Sequence, residues 1–246
     1  KSIQKDKHEL KKENTQLSTA LEYSKDAEEN RRLMVSNITH ELKTPLAVIH
    51  GYAEGLKEGI AADKQEHYLD VILEESERMD AMVLEMLDLS RLEAGKVRLA
   101  TDRFSLLELT RRVIDKLSLL VEEKELTVEY VWAHDCEITA DESRITQALT
   151  NLVSNAIKYS PRGGTVHIGV TRVKNQTMFS IENQSEPLSE EALAKIWDSF
   201  YRTDKYRTEK GTGLGLPITK AIIELHGGTC HVSNTKTGVE FKFYLP

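Results

Sequence analysis

His40 is followed at once by Glu41, and Thr44 lies one helical turn further on. If the surrounding segment is helical, these three types can do acid–base and nucleophilic chemistry. A carboxylate can accept the proton on imidazole Nδ1, which leaves Nε2 as the nucleophile. A threonine hydroxyl on the same face can orient a water. An exposed histidine taken alone is more often a plain surface residue, and only its neighbours raise it above that. Pro45 follows and cannot donate to the carbonyl of Glu41, so a bend is expected just after the histidine. A second group, Asn151, Asn155, Lys158 and Tyr159, falls on one helical face at spacings of four, three and one. Amide oxygens suit a hard cation such as Mg²⁺, and a lysine suits phosphate oxygens. On spacing alone a polar surface stripe is the commoner reading. The third group is Gly211-Thr212-Gly213-Leu214-Gly215, whose alternating glycines let backbone amides approach a phosphate at a helix start. No apolar strand precedes it, which disfavours a dinucleotide fold.

The elements that would hold these groups follow from hydrophobic periodicity. Val35, Ile38, Leu42, Leu46, Ile49, Ala53 and Leu56 recur at three and four, one stripe of an amphipathic helix. His40 sits two places from both Ile38 and Leu42, about 200° around the axis, and so points away from the stripe. Gly59 and residues 61–63 supply a break. A second stripe at Tyr68, Ile72, Met79, Met82, Met86 and Leu89 runs until Gly95. Two such helices cannot stand alone, and a hairpin that doubles into a four-helix dimer buries both stripes.

Beyond residue 101 helices and strands mix. Ser105–Glu123 reads as helix and Thr127–Val131 as strand. Asp141 is the expected N-cap of a helix to Tyr159. Thr165–Val173 and Met178–Asn183 read as strands about a turn at 174–176. A helix at Glu190–Ile196, a helix ending at Gly227-Gly228, and two closing strands complete an α/β sandwich. The organisation is therefore 1–34, charged linker; 35–100, helical hairpin; 101–246, α/β domain. In the linker Ile3, Leu10 and Leu17 are seven apart, as in a short coiled coil. Asp6 and Glu13 occupy its second stripe, and the register breaks before Ser24 and Arg31. A solvated charged helix is the other reading.

Composition is that of a soluble protein, with 39% hydrophobic and 30% charged residues and a formal charge of −7. No basic block stands out to neutralise nucleic-acid phosphates. Cys136 and Cys230 lie far apart without Cys/His neighbours at ligand spacing, which argues against a disulfide framework or zinc site and fits a reducing compartment. No apolar run approaches the ~20 residues of a membrane span. The chain starts at Lys1 rather than Met, so a longer parent is expected, with any membrane segment upstream.

The stretch Ser36 to Leu46, SNITHELKTPL, resembles the phosphoacceptor box of sensor histidine kinases, the class that couples to OmpR-like regulators. Asn151 to Ser160 resembles the N-box of the same kinases, Phe200-Tyr201-Arg202 the phenylalanine box, and Gly211 to Leu216 the second glycine box. The resemblance covers residues 35–246 in the family's order. It implies a Bergerat-type (GHKL-like) ATP-binding domain after a dimerising hairpin, with ATP and Mg²⁺ as cofactors. By it, His40 is phosphorylated, Glu41 is its base, and Thr44 helps hydrolyse a partner's phospho-aspartate. Asn155 becomes the Mg²⁺ ligand with Asn151 close by, Lys158 a phosphate contact, and Tyr159 a neighbour of adenine. Residues 202–212 become a lid over ATP, from which Arg202 or Lys205 reaches the phosphates. The implied partners are a second copy of the chain and the receiver domain of a response regulator, with no nucleic acid. The implied place is the cytoplasmic side of a membrane sensor.

One box departs from the family. Where an aspartate followed by two glycines is usual, the chain has Asn183-Gln184-Ser185-Glu186-Pro187. Asn183 can accept a hydrogen bond from the adenine amine but carries no charge, so weakened nucleotide affinity is expected. Two alternatives stand beside the kinase reading. A chaperone or topoisomerase subunit of the wider ATPase superfamily would lack the HELKTP helix. A degenerate kinase would act as a dimeric scaffold or phosphatase.

Overall fold

The computed structural model describes residues 35–60, 64–203 and 211–246. The coiled-coil reading of residues 1–34 and the place of Lys205 lie outside the described residues. The chain divides into two compact units between Met79 and Asp80.

In the first unit, residues 35–57 form helix α1, which runs without interruption through Pro45. Helix α2, Gln65–Glu93, begins in this unit. Tyr52 on α1 meets Tyr68 on α2 edge to face, ring centroids 4.8 Å apart. Gly55 permits that approach, because a methyl there would come 2.8 Å from the Tyr68 ring. Tyr68, Ile72 and Met79 of the expected stripe are half-buried. The same helix carries a second apolar row, Leu69, Leu73, Leu84 and Leu87, that stays exposed in the single chain, as does Leu46 on α1.

The second unit includes the last turns of α2, where Met82, Met86, Leu89 and Leu92 are buried. Gly95, in the left-handed region at φ 62°, follows its end. Next come β1 (Thr101–Ser105), α3 (Leu106–Lys116), α4 (Ser118–Glu123), β2 (Thr127–Ala133), β3 (Glu137–Asp141) and α5 (Glu142–Tyr159). Then follow β4 (Thr165–Val173), β5 (Gln176–Gln184), α6 (Glu190–Lys195), α7 (Gly215–Leu225), β6 (Thr229–Asn234) and β7 (Gly238–Leu245). A five-stranded sheet runs β2-β4-β5-β7-β6, with only β2 and β4 parallel, and β1 pairs with β3 in a separate two-stranded ribbon. Helices α5 and α7 pack together, and α5 lies on β5. Phe179 on β5 and Phe243 on β7 stack with centroids 4.9 Å apart and are fully buried with Ile168, Ile181, Leu149 and Ile218.

Three features differ from the sequence reading. Residues 101–105, for which the sequence reading gave no strand, form β1, fixed residue by residue against β3. The helix expected over 105–123 breaks at Leu117, whose φ −100° and ψ 9° are not helical. Strand β2 extends two residues past Val131.

The caps explain why α5 forms where it does. The Asp141 side chain accepts from the Arg144 amide at 3.1 Å, from Ser143 Oγ at 2.7 Å and from the Ala100 amide at 3.0 Å. Burial alone would push this carboxyl up, but those hydrogen bonds outweigh it and hold the group below the usual aspartate range. At the other end, Lys124 Nζ donates to the carbonyls of Ile157, Lys158 and Ser160. A cation thus sits on the negative end of the helix. Lys124→Met keeps the stem and removes these charge-assisted bonds, so a loss of about 1–3 kcal/mol is expected. Urea unfolding would read it as a lower midpoint at unchanged slope; an unmoved midpoint would refute the capping role.

Candidate functional site

Helix α1 presents His40 with its side chain 76% exposed and Nδ1 3.9 Å from Glu41 Oε1. Glu41 is half-buried, Thr44 is exposed, and Pro45 between the stripes is buried. The imidazole is therefore open to a reacting group, and its neighbouring carboxylate stands just beyond hydrogen-bond reach. Thr39 is occupied elsewhere, donating to the Val35 carbonyl at 2.9 Å.

The second unit holds a cavity of about 320 Å³. Helix α5 brings Asn151, Asn155, Lys158 and Tyr159 to it, strand β5 brings Asn183, and the loop before α7 brings Gly211, Thr212, Gly213 and Gly215. Arg202 lines it as well. Leu214 does not; its side chain is fully buried, and its amide donates to Thr212 Oγ1 at 3.3 Å. His40, Glu41 and Thr44 belong to the other unit and are not part of this lining.

The glycines are needed for packing as well as for approach. Gly213 has φ 72°, and a methyl there would meet Phe200 Cα at 2.9 Å. The Phe200 amide donates to the Gly213 carbonyl at 3.1 Å, so the aromatic box and the glycine loop lock together. A methyl on Gly211 would come 3.0 Å from Lys158 Nζ. The ammonium thus lies against loop backbone, 5.0 Å over the Tyr159 ring. Asn151 Nδ2 donates to the Gly215 carbonyl at 3.0 Å, and Arg202 Nη1 to the Gly211 carbonyl at 3.2 Å. At the far ends of the same two helices, His226 Nε2 accepts from the Asp141 amide at 3.0 Å while Nδ1 meets the Ile222 carbonyl at 2.8 Å. Those two partners require a neutral ring protonated at Nδ1.

Several lining residues are not among the sequence candidates: Ser154 and Ser185 lie within the motif stretches, whereas Glu85 carries no sequence signal. Glu85 comes from the end of α2, and its Oε2 accepts from Thr212 Oγ1 at 2.6 Å. Three residues on, Asp88 takes both oxygens to Arg144 Nη1 at 2.8 and 2.7 Å and accepts from Gln147 at 2.9 Å. Burial pushes the Glu85 carboxyl above the usual range, against the lowering effect of Thr212. A raised carboxyl binds its proton more tightly folded than unfolded. Its stabilising contribution is complete below the unfolded pKa and lost as pH rises through the raised one. Glu85→Gln is therefore expected to raise the melting temperature at pH 8, the gain shrinking as pH falls through that window. A gain independent of pH would show that the buried charge is not its cause.

The lining suits a polyanion with a flat ring. A lysine, an arginine and the glycine loop line it, and Tyr159 and the amide of Asn183 offer a ring partner and a polar reader. Among the described residues no group of three His, Cys, Asp or Glu could hold a metal ion by itself. The amides of Asn155 and Asn151 nonetheless fit a hard divalent cation that takes its other oxygens from a bound phosphate chain. Thiol chemistry has no support: Cys136 is buried, and burial pushes the Cys230 thiol up to about 12.

The family model "Histidine kinase-, DNA gyrase B-, and HSP90-like ATPase" matches residues 140–246, and "His Kinase A (phospho-acceptor) domain" matches residues 30–95. The chain is 33% identical over 226 residues to sensor histidine kinase WalK of Bacillus subtilis, covering 89% of this chain and 37% of that protein. It thus spans little more than a third of the curated relatives it matches. The catalytic domain of histidine kinase ThkA is 33% identical, with TM-score 0.54 over 59% of this chain and 95% of that one. ThkA in complex with the response regulator protein TrrA gives TM-score 0.71 at 29% identity, over 87% of this chain and 60% of that one.

Proposed function

Because the chain belongs to the sensor histidine kinases, with a phospho-acceptor domain followed by a HATPase-type domain, we propose that it transfers the γ-phosphoryl group of ATP to His40 and then to an aspartate on a response regulator. The observation that carries this reading is the cavity itself. Residues from three separate parts of the chain, Asn151 to Tyr159, Asn183 and Gly211 to Gly215, line one pocket.

The mechanism follows from these side chains. Tyr159 and Asn183 hold the purine, and Lys158, Arg202 and the amides of the Gly211–Gly215 loop take the phosphates. Mg²⁺, held by Asn155 with Asn151 beside it, would neutralise charge on the phosphate oxygens. Nε2 of His40 attacks the γ-phosphorus, the bond to the ADP oxygen breaks, and Glu41 holds the imidazole proton at Nδ1. Positioning and charge neutralisation do most of the work in such transfers. The phosphoryl group then leaves Nε2 for a carboxylate of the receiver domain. Thr44, exposed on the same face, orients water for the reverse hydrolysis, which makes the protein bifunctional.

Residues 35–100 serve as the dimerisation and phosphotransfer hairpin and 101–246 as the catalytic domain. The exposed row Leu69, Leu73, Leu84 and Leu87 supports a homodimer, since four such side chains are costly to leave in water. No helix among the described residues is long and apolar enough to cross a membrane. The parent protein is read as a membrane sensor with this part in the cytoplasm. The test is incubation with γ-labelled ATP and Mg²⁺ followed by addition of a receiver domain. Acid-labile, alkali-stable label that then moves to the receiver is expected. A folded dimer that takes no label would leave the scaffold or phosphatase reading in its place.

A further inference from the structure

The cavity's most buried polar reader is Asn183, only 4% exposed. Its backbone is fixed by strands on both sides, Val166 on β4 and Val239 on β7. Alternation along β5 puts its side chain on the face of Phe179 and Ile181. Gly238 closes the position from below, since a methyl there would lie 1.9 Å from the Asn183 carbonyl oxygen. The side-chain amide, by contrast, is weakly held: Nδ2 reaches the Gln184 carbonyl at 3.4 Å, longer than a good N–H···O bond. The group is thus fixed in place but easily turned about its last torsion.

We propose that Asn183 makes this site accept 6-oxo purine triphosphates nearly as well as ATP, a relaxation that rests on reading the cavity as a nucleotide site. A carboxylate here would offer acceptors alone. It would bind the 6-amino group of adenine and repel the 6-oxo group of hypoxanthine or guanine. A carboxamide offers an acceptor on one arm and a donor on the other. Oδ1 accepts from a 6-amino group; after a half-turn, Nδ2 donates to a 6-oxo group. Neither purine leaves a buried polar atom facing its like, and that mismatch is what gives hydrogen-bonding sites their discrimination. Ser185 lines the same cavity, and its hydroxyl can accept from the ring N–H of a 6-oxo purine or donate to the bare N1 of adenine.

The experiment compares binding of ATP and inosine triphosphate, each with Mg²⁺, to the full chain and to Asn183→Asp by calorimetry. Inosine triphosphate keeps the 6-oxo group and lacks the 2-amino group of guanine, so it probes the six-position alone. Dissociation constants within about tenfold of each other are expected for the native chain. Asn183→Asp should widen the ratio to about a hundredfold or more in favour of ATP, the scale of a lost or mismatched hydrogen bond at a buried site. A native chain that already prefers ATP by a hundredfold overturns the proposal and leaves the kinase reading intact. A ratio unmoved in a folded Asn183→Asp overturns it too. Should that variant not fold, the native ratio alone decides. If the folded native chain binds neither nucleotide, the cavity reading fails, and this inference with it.

Discussion

His40→Gln is expected to take up no label from γ-labelled ATP while it remains folded, dimeric and able to bind nucleotide. Glutamine keeps a polar side chain of similar length at an exposed site, so little stability is at stake. It has no basic nitrogen to attack phosphorus. His50, also exposed on α1, has Glu54 a turn away with its Nδ1 at 3.4 Å, yet it lies outside the phosphoacceptor stretch and has no threonine–proline pair following. Removing the nucleophile outright costs a phosphotransferase all measurable turnover, on the order of a millionfold in well-studied hydrolases. Label retained on His40→Gln at the native rate would move the acceptor elsewhere, with His50 the first position to examine. Equilibrium nucleotide binding provides the control, because the cavity belongs to the other unit.

Gly238→Ala should lower stability and nucleotide binding together. The new methyl would sit 1.9 Å from Asn183 O, 2.9 Å from Asn183 C and 2.9 Å from the Ser185 amide nitrogen. These are backbone atoms of a paired strand, so no flexible side chain can swing away. Either the β5–β7 pairing opens at its end or Asn183 is pushed into the cavity. Overpacking of this kind costs about 3 kcal/mol, which lowers the melting temperature by roughly 6–12 °C in a domain of this size. Nucleotide affinity should fall by tenfold or more, while the association of the hairpin is untouched. A variant with native affinity and native melting temperature would show that the strand end is free to yield.

What could be read from the sequence was local. The α5 helix announced itself through Asp141 and its apolar spacing, and the structure begins and ends it where those signals do. Strand β4 likewise matched residue for residue, bounded by Gly164 and the turn after Val173. The phosphoacceptor stretch was legible because its motif is dense. The parts that escaped depend on partners distant in the chain. Strand β1, Thr-Asp-Arg-Phe-Ser, has no alternation to betray it and exists only because β3 lies beside it. The three bonds from Lys124 to the end of α5 span more than thirty residues, and nothing around that lysine distinguishes it from its charged neighbours. Glu85 entered the cavity lining for the same reason: on α2 it is one carboxylate among many, and only the fold brings Thr212 to it.

The Lys124 cap bears on where the molecule can be cut. The family pattern for the ATPase part begins at residue 140, a natural place to start an excised fragment. Such a piece would keep the cavity's residues from Asn151 onward, but would lose Glu85 and what holds the rest still. Strand β4 would become an open edge, with its hydrogen-bonding groups bared to any neighbouring chain. Strand β3 would be cut through and its partner β1 lost, Asp141 would lose the Ala100 amide, and the carbonyls beside Lys158 would lose their ammonium. A fragment that starts ahead of Thr101 retains all four. The border drawn by sequence likeness and the border of a body that can fold and stay soluble are different borders, and for isolating this half the second is the one to respect.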